Sequence, residues 1–267
     1  MLEKKILFIG GGNMAEGIIR GQIKTETIAP DNIYVYEVLP KRAQYLKETY
    51  NINLVASIKE GIAQSQIILM AINPQDAIGV MSDIKAVANN KSLIVSICAG
   101  ITLAIMKNNI GENYRIARVM PNVLIEAKIG YSGVCVNEHV HDSDKQDLEK
   151  LFAAIGQTMF INETLFDEFT AFSCAGPAYI MYFLTALIDA GVYIGFSRKD
   201  SLKIALANLI GSAKMVELTD QHPYQITDTM TSPAGVTIEG LKILSESKFH
   251  GVIMEAVSKA TKRAKEL

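Results

Sequence analysis

Short apolar runs alternate with amphipathic stretches up to about residue 162, and beyond it only helical patterns remain. Residues 6–9, 33–36, 54–55, 67–72, 93–97, 115–120, 131–136 and 158–161 read as strands. The central runs are apolar without alternation, as in parallel strands covered on both faces. Helical spacing opens at Ile18 and Ile19 and returns over 43–50, 78–87 and 145–155. This order predicts an α/β fold with a right-handed, doubly wound Rossmann sheet over residues 1–162.

The second half, 163–267, reads as an all-α domain. Residues 166–172 are helical in pattern, with an interruption near Cys174-Ala175-Gly176-Pro177. The run 178–194 is apolar nearly all round, so it is expected to be buried on most faces. Leu202, Ala205, Leu206, Leu209, Ile210 and Ala213 form one stripe at helical spacing. Phe249, Val252, Ile253, Ala256, Val257 and Ala260 form another. So few helices cannot cover this apolar surface alone, which predicts an intertwined homodimer through the helical domain.

Composition sharpens this picture. Hydrophobic residues make up 49% of the 267, a surplus that suits a subunit interface. The net charge of −2 gives no footing for nucleic acid or an anionic membrane. The basic cluster Lys259, Lys262, Arg263 and Lys265 reads as a solvated helix end. Cys98, Cys135 and Cys174 are dispersed and odd in number, which points to a reducing, cytoplasmic setting. The first residues lead straight into a strand, so no signal peptide is expected. Residues 178–196 are long enough for a membrane span but carry Asp189, Gly191 and Gly195, which favours a soluble helix. His139 and His141 lack a third ligand and read as a solvated turn, so no metal is expected. His222, before Pro223, reads as part of a helix–helix turn.

Two segments carry candidate chemistry. Gly10, Gly12 and Ala15 form a G-x-G-x-x-A motif, with Asn13 and Met14 between, after a strand and before a helix. Such a turn lets a pyrophosphate approach the backbone, and the strand-end Glu37 stands about twenty residues on, where an acid accepts from a ribose diol. A plain solvated Glu is the alternative. Ligands bind at the carboxyl edge of such sheets. Ala71, Ile72, Asn73, Cys98, Ala99 and Asn122 should share that edge with the glycine turn.

The other segment is Ser232-Pro233-Ala234-Gly235-Val236-Thr237. Ser232 suits an N-cap and Pro233 the first helical position, so a helix is expected to start there. Its unpaired N–H groups can hold a carboxylate. Gly235 keeps the approach open and Thr237 offers a hydroxyl beside it. An ordinary capped helix is the plain alternative.

The chain resembles the pyrroline-5-carboxylate reductases along essentially its full length. The resemblance rests on residues 9–15, 71–75 and 118–122, on Gly176-Pro177-Ala178-Tyr179, on Gln221-His222-Pro223, and on 232–237 with Glu239-Gly240-Leu241. It implies a Rossmann domain joined to an all-helical dimerisation domain, NADPH or NADH as cofactor, and dimers that can build decamers. It implies that Ser232 and the backbone of Gly235 and Val236 bind the substrate carboxylate while Thr237 faces the ring nitrogen as the catalytic group. The chain departs from the usual family pattern at Ala234 (Gly), Asn73 (Lys), Ile58 (Asn), Val123-Leu124 (Thr-Pro) and Cys174-Ala175 (Ser-Gly). With Glu37 at the strand end, both nucleotides are expected to serve, NADH unusually well. Lys41 and Arg42 could instead hold a 2′-phosphate. Competing readings are a reductase of a related cyclic imine or of a β-hydroxyacid, and a nucleotide-binding homologue without turnover.

Overall fold

The computed structural model describes residues 2–266 except Asn90, Val123, Ile125, Glu126 and Lys128. The departure at Val123 therefore lies outside the described residues. The strands are β1 (Ile6–Ile9), β2 (Ile33–Tyr36), β3 (Asn53–Leu54), β4 (Ile67–Met70), β5 (Leu93–Ser96), β6 (Arg115–Pro121), β7 (Gly130–Val136) and β8 (Gly156–Phe160). They form one sheet in the order β3-β2-β1-β4-β5-β6-β7-β8. The order reverses direction at β1, where β2 lies on one side and β4 on the other. Six of the strands, β1 to β6, pair in parallel. β7 runs antiparallel to β6, and β8 is parallel to β7. The connection 122–129 is too short for a parallel crossover, which takes about a dozen residues or more, so β7 returns antiparallel to β6.

Both faces of the sheet are covered. Ile6 and Phe8 of β1 point into one core with Ile18 and Ile19 of α1 (Asn13–Lys24), Leu46 of α2 (Pro40–Tyr50), and Leu148 and Phe152 of α6 (Asp142–Ala153). Leu7 and Ile9 point into the other. There they meet Ile62 of α3 (Ile58–Gln64), Met81 of α4 (Ala77–Val87) and Met106 of α5 (Leu103–Ile110). This is why β1 shows no alternation: each neighbour along it is buried on its own side.

Contacts divide the chain into a first unit, Met1–Cys174 with Thr261–Leu267, and a second, Ala175–Ala260. The first includes α7 (Phe166–Phe169) and a π-helical turn, Thr170–Cys174. Phe166 is fully buried beneath the Arg118 guanidinium, 3.9 Å from its ring centroid. A Cβ on Gly133 would fall 2.7 Å from the Phe169 ring, so β7 and α7 meet at van der Waals contact.

The second unit holds α8 (Gly176–Tyr193), α9 (Arg198–Thr219), α10 (Pro223–Thr229), α11 (Val236–Glu246) and the body of α12 (Phe249–Ala264). α8 and α9 approach closely at Gly191, where a Cβ would lie 2.6 Å from the Ser201 hydroxyl. Phe183 and Phe249 join α8 to α12, ring centroids 5.9 Å apart. The expectation that 178–194 is buried on most faces does not hold within one chain. Leu184 alone is buried on α8, among the described residues, and none is on α11 or α12. An apolar helix in so thin a layer has too few neighbours of its own chain to cover it.

The segment 232–237 also differs from expectation. Ser232 is not the N-cap. The Gly235 N–H donates to the Ser232 carbonyl at 3.0 Å, closing a turn across Pro233 and Ala234. Ala234 is left-handed, at φ +54, and that breaks a helical run. The helix α11 therefore begins at Val236, with Gly235 as its N-cap.

Candidate active site

The carboxyl ends of β1, β2 and β4 enclose a cleft of about 700 Å³ in the first unit. It is lined by Gly10, Gly12, Asn13, Met14, Glu37, Ala71, Ile72 and Asn73, so most of the residues singled out in the sequence come together. Gly10 is at φ +95, and a Cβ there would lie 2.4 Å from the Ala71 carbonyl. Gly12 has open space where its Cβ would stand. It is also the N-cap of α1 and offers no side chain to cap it. The first N–H groups of α1 are thus left for a ligand anion beside an unobstructed backbone.

Four expected cofactor positions sit elsewhere. Ala15 is fully buried under α1 and packs rather than lines. Cys98 is buried, and its thiol donates to the Ile72 carbonyl at 3.3 Å, bracing the end of β4 from below. Burial pushes that thiol's pKa up. Ala99 packs against the same core. Asn122 is buried, and its side-chain carbonyl accepts the Leu124 N–H at 3.1 Å.

The Glu37 carboxylate is fixed at the cleft wall. One oxygen accepts the Gly11 N–H at 2.7 Å and the other the Leu39 N–H at 2.9 Å. Each keeps a lone pair for another donor. Beyond it, the Arg42 Nε donates to the Gly11 carbonyl at 2.7 Å.

In the second unit, α11 has no side-chain cap, and its first internal bond, Glu239 N–H to the Gly235 carbonyl, is long at 3.5 Å. The N–H groups of Val236 and Thr237 thus remain for a ligand, while that of Gly235 is already used in the turn. A Cβ on Gly235 would lie 2.3 Å from the Ser232 hydroxyl oxygen. Ser232 and Thr237 are exposed, and Val236 is 93% exposed.

A family model described as pyrroline-5-carboxylate reductase dimerisation matches residues 163–267. One described as NADP oxidoreductase, coenzyme F420-dependent, matches residues 5–100. The pyrroline-5-carboxylate reductase of Escherichia coli K12 is 35% identical over 266 residues, covering 100% of this chain and 99% of its own. The chain belongs to the pyrroline-5-carboxylate reductase family. A reductase of this name from Synechocystis is 35% identical, covering 97% of this chain and 96% of its own. Among solved structures, a pyrroline-5-carboxylate reductase from Coxiella burnetii superposes with a TM-score of 0.94 at 28% identity, covering 99% and 98%. The pyrroline carboxylate reductase of Plasmodium falciparum, solved with NADP bound, gives 0.89 at 32% identity, covering 100% and 98%. Like its family, this reductase is a homo-oligomer, and the matched dimerisation region holds the helices left apolar and exposed in one chain.

Sequence reasoning missed part of the cleft in this family member. Leu39, Asp76 and Asp83 also line it. Leu39 follows Glu37 off β2 and could have been found by following the strand past its end. Asp83 lies one helical turn or more inside α4, where no local signal marks it. His222, read as part of a turn, is the N-cap of α10, its Nδ1 accepting the Tyr224 N–H at 3.2 Å.

Proposed function

We propose that this chain reduces the cyclic imine L-1-pyrroline-5-carboxylate to L-proline with NAD(P)H, the closing step of proline biosynthesis. The observation that carries this is full-length identity to reductases of that name, at 35% over 266 residues. The nucleotide half is 1–162 and the helical half 163–267, the span of the dimerisation match.

The cleft fits a dinucleotide. Gly10 allows the turn, Gly12 leaves room for the pyrophosphate, and the N–H groups of Asn13 and Met14 supply donors. Glu37 takes the adenosine ribose hydroxyls, Ala71, Ile72 and Asn73 form the strand-end wall, and Cys98 and Ala99 pack behind it. When bound there, the nicotinamide supplies a hydride. The remaining work belongs to the second unit's residues. The Ser232 hydroxyl and the Val236 N–H hold the substrate carboxylate, and Gly235 keeps that approach clear. The Thr237 hydroxyl oxygen accepts from the protonated ring nitrogen. This favours the iminium and fixes the face that the imine carbon presents. A hydroxyl is too weak an acid to deliver the proton itself, so the proton arrives on the substrate or through water. Alignment of this kind supplies roughly 7–11 kcal/mol of a barrier in favourable cases.

The reductase acts as a homodimer in the cytoplasm, with assembly to a decamer as a further step. The partner copy, rather than lipid or nucleic acid, covers the apolar faces of α8, α9 and α12. The test is pyrroline-5-carboxylate-dependent oxidation of NADH and NADPH by the purified protein. Absence of turnover with both would end the reading. Thr237→Ala should lower kcat at least about tenfold with nucleotide affinity retained. Equal kinetics would remove Thr237 from its role.

A further inference from the structure

We propose that Glu16 sets the nucleotide preference of this chain toward NADH by holding Arg42 away from a 2′-phosphate. The proposal rests on the dinucleotide reading of the cleft and goes beyond it to a residue outside the lining. In Rossmann sites an acid at the end of the second strand suits NAD, and a nearby Arg accommodates the extra phosphate of NADP. This chain has both, Glu37 at the strand end and Arg42 early in α2, so the question is which is available.

The geometry answers for Glu37. Arg42 and Glu37 grip the same residue from opposite ends: Glu37 accepts the Gly11 N–H and Arg42 donates to the Gly11 carbonyl. The Arg42 Nη2 is 2.5 Å from the Glu16 carboxylate, so the guanidinium is turned toward α1. The guanidinium lies over the Tyr45 ring, 5.2 Å from its centroid, so its flat face is also engaged. Glu16 is itself anchored. Its other oxygen accepts from the Tyr50 hydroxyl at 2.7 Å and the Tyr45 hydroxyl at 3.0 Å. Arg42 is therefore held by an acid that two phenols keep in place.

The cleft reinforces this. Its described lining contains three carboxylates, Glu37, Asp76 and Asp83, and no Lys, Arg or His. A 2′-phosphate adds close to two negative charges, and its entry would be opposed by each of them. A ribose diol adds none and donates to Glu37. Glu16 touches neither nucleotide in this scheme. It is a positioning residue that acts through Arg42.

Calorimetric titration of the purified full chain with NADH and with NADPH tests the idea, with dissociation constants as the readout. Wild type should bind NADH at least about tenfold more tightly. Glu16→Gln should tighten NADPH by about fivefold or more and leave NADH within about twofold. Arg42→Ala alone should leave the ratio of the two constants in place, and adding it to Glu16→Gln should cancel the gain. A purely structural role for Glu16 would weaken both nucleotides together and would show no such dependence on Arg42. Tyr50→Phe, which loosens Glu16 without changing any charge, should shift the ratio the same way by less, and it serves if Glu16→Gln does not fold. The proposal falls if wild type prefers NADPH, if Arg42→Ala alone weakens NADPH selectively, or if neither Glu16→Gln nor Tyr50→Phe moves the ratio. Wild type that binds neither nucleotide would overturn the reductase reading, and this proposal with it.

Discussion

The Ser232 carbonyl accepts the Gly235 N–H at 3.0 Å, and Ala234 between them is left-handed at φ +54. Such a conformation costs an alanine roughly 1–2 kcal/mol, of which glycine's greater unfolded freedom offsets about 0.4–1 kcal/mol. Ala234→Gly should therefore raise stability by up to about 1.6 kcal/mol in urea unfolding. Gly235→Ala acts differently. The added Cβ would stand 2.3 Å from the Ser232 hydroxyl oxygen, which must rotate away. It would also stand 3.0 Å from the Ser232 carbonyl, so the turn must give by a few tenths of an ångström, and the proposed carboxylate site loses a donor. KM for the imine should rise about tenfold with the nucleotide dissociation constants unmoved. An unchanged KM would remove Ser232 from the substrate site.

Glu16 and Tyr50 give opposite pH signatures. Burial pushes the Glu16 carboxyl up, but the Tyr50, Arg42 and Tyr45 donors outweigh it and hold the group below its usual range. A depressed acid stabilises the fold fully above the unfolded value, about 4.3, and loses that contribution as pH falls through the lower folded value. The stability gap between wild type and Glu16→Gln should therefore close on acidification, as followed by urea unfolding across pH. A gap constant with pH would sink this. Burial, followed by the Glu16 carboxylate, raises Tyr50 from 10.0 to about 12. Its contribution is complete below pH 10 and disappears as pH rises through about 12. An ultraviolet phenolate titration should lose its most alkaline step in Tyr50→Phe.

What could be read in advance follows from where the determining forces lie. Strands β1 and β4 were legible because burial on both faces leaves no polar position in them, as at Ile67 to Met70. The glycine turn was legible because its backbone demands are local: Gly10 needs a positive φ wherever the motif occurs. Helices α3 and α5 span only 7 and 8 residues, too few for an apolar period to stand out. Their caps were nevertheless present, as Ser57 accepts the Glu60 N–H and Thr102 that of Ile105. The start of α11 was misread because Ser-Pro suits both a helix cap and a turn, and the left-handed Ala234 decides between them. The Glu16–Arg42 pair joins α1 to α2 across 26 positions, so no spacing rule reaches it.

Asp144 ties the start of α6 to β6. Its side chain is fully buried, takes the Arg115 guanidinium at 2.8 and 3.0 Å, and accepts the His141 N–H at 3.1 Å. Removing one partner strands the other's charge. Asp144→Ala should cost about 3–5 kcal/mol, whereas Asp144→Leu with Arg115→Met should recover most of it. Chemical denaturation of the single and double variants checks this, and equal losses in both would show that the pair's charge is not what matters.

Gln22 is a different kind of buried polar group. It sits on the sheet-facing side of α1, fully buried, and neither its side-chain oxygen nor its nitrogen has a partner. Unsatisfied groups of this type cost about 1–3 kcal/mol. Met has a similar length and no such demand. Gln22→Met should raise the unfolding free energy by about 1 kcal/mol or more. A lowered midpoint would mean that the amide is satisfied in solution.

The second unit needs cover that its own chain does not supply. On α8, Met181 is 58% and Tyr182 82% exposed, and on α9 Ile210 is 55% exposed. Apolar surface of this extent is stable in water only when a partner removes it. A carboxylate placed there would have to be desolvated on association, at several kcal/mol. Met181→Asp or Ile210→Asp should therefore shift the homo-oligomer to monomer in light scattering, at concentrations where wild type stays assembled. Among the described residues, those that line the nucleotide cleft all fall between Ile9 and Ile97. Dissociation should accordingly leave NADH affinity within about twofold, so that loss of assembly and loss of nucleotide binding separate. An oligomer indifferent to charge on both helices would place the interface on other faces of the second unit.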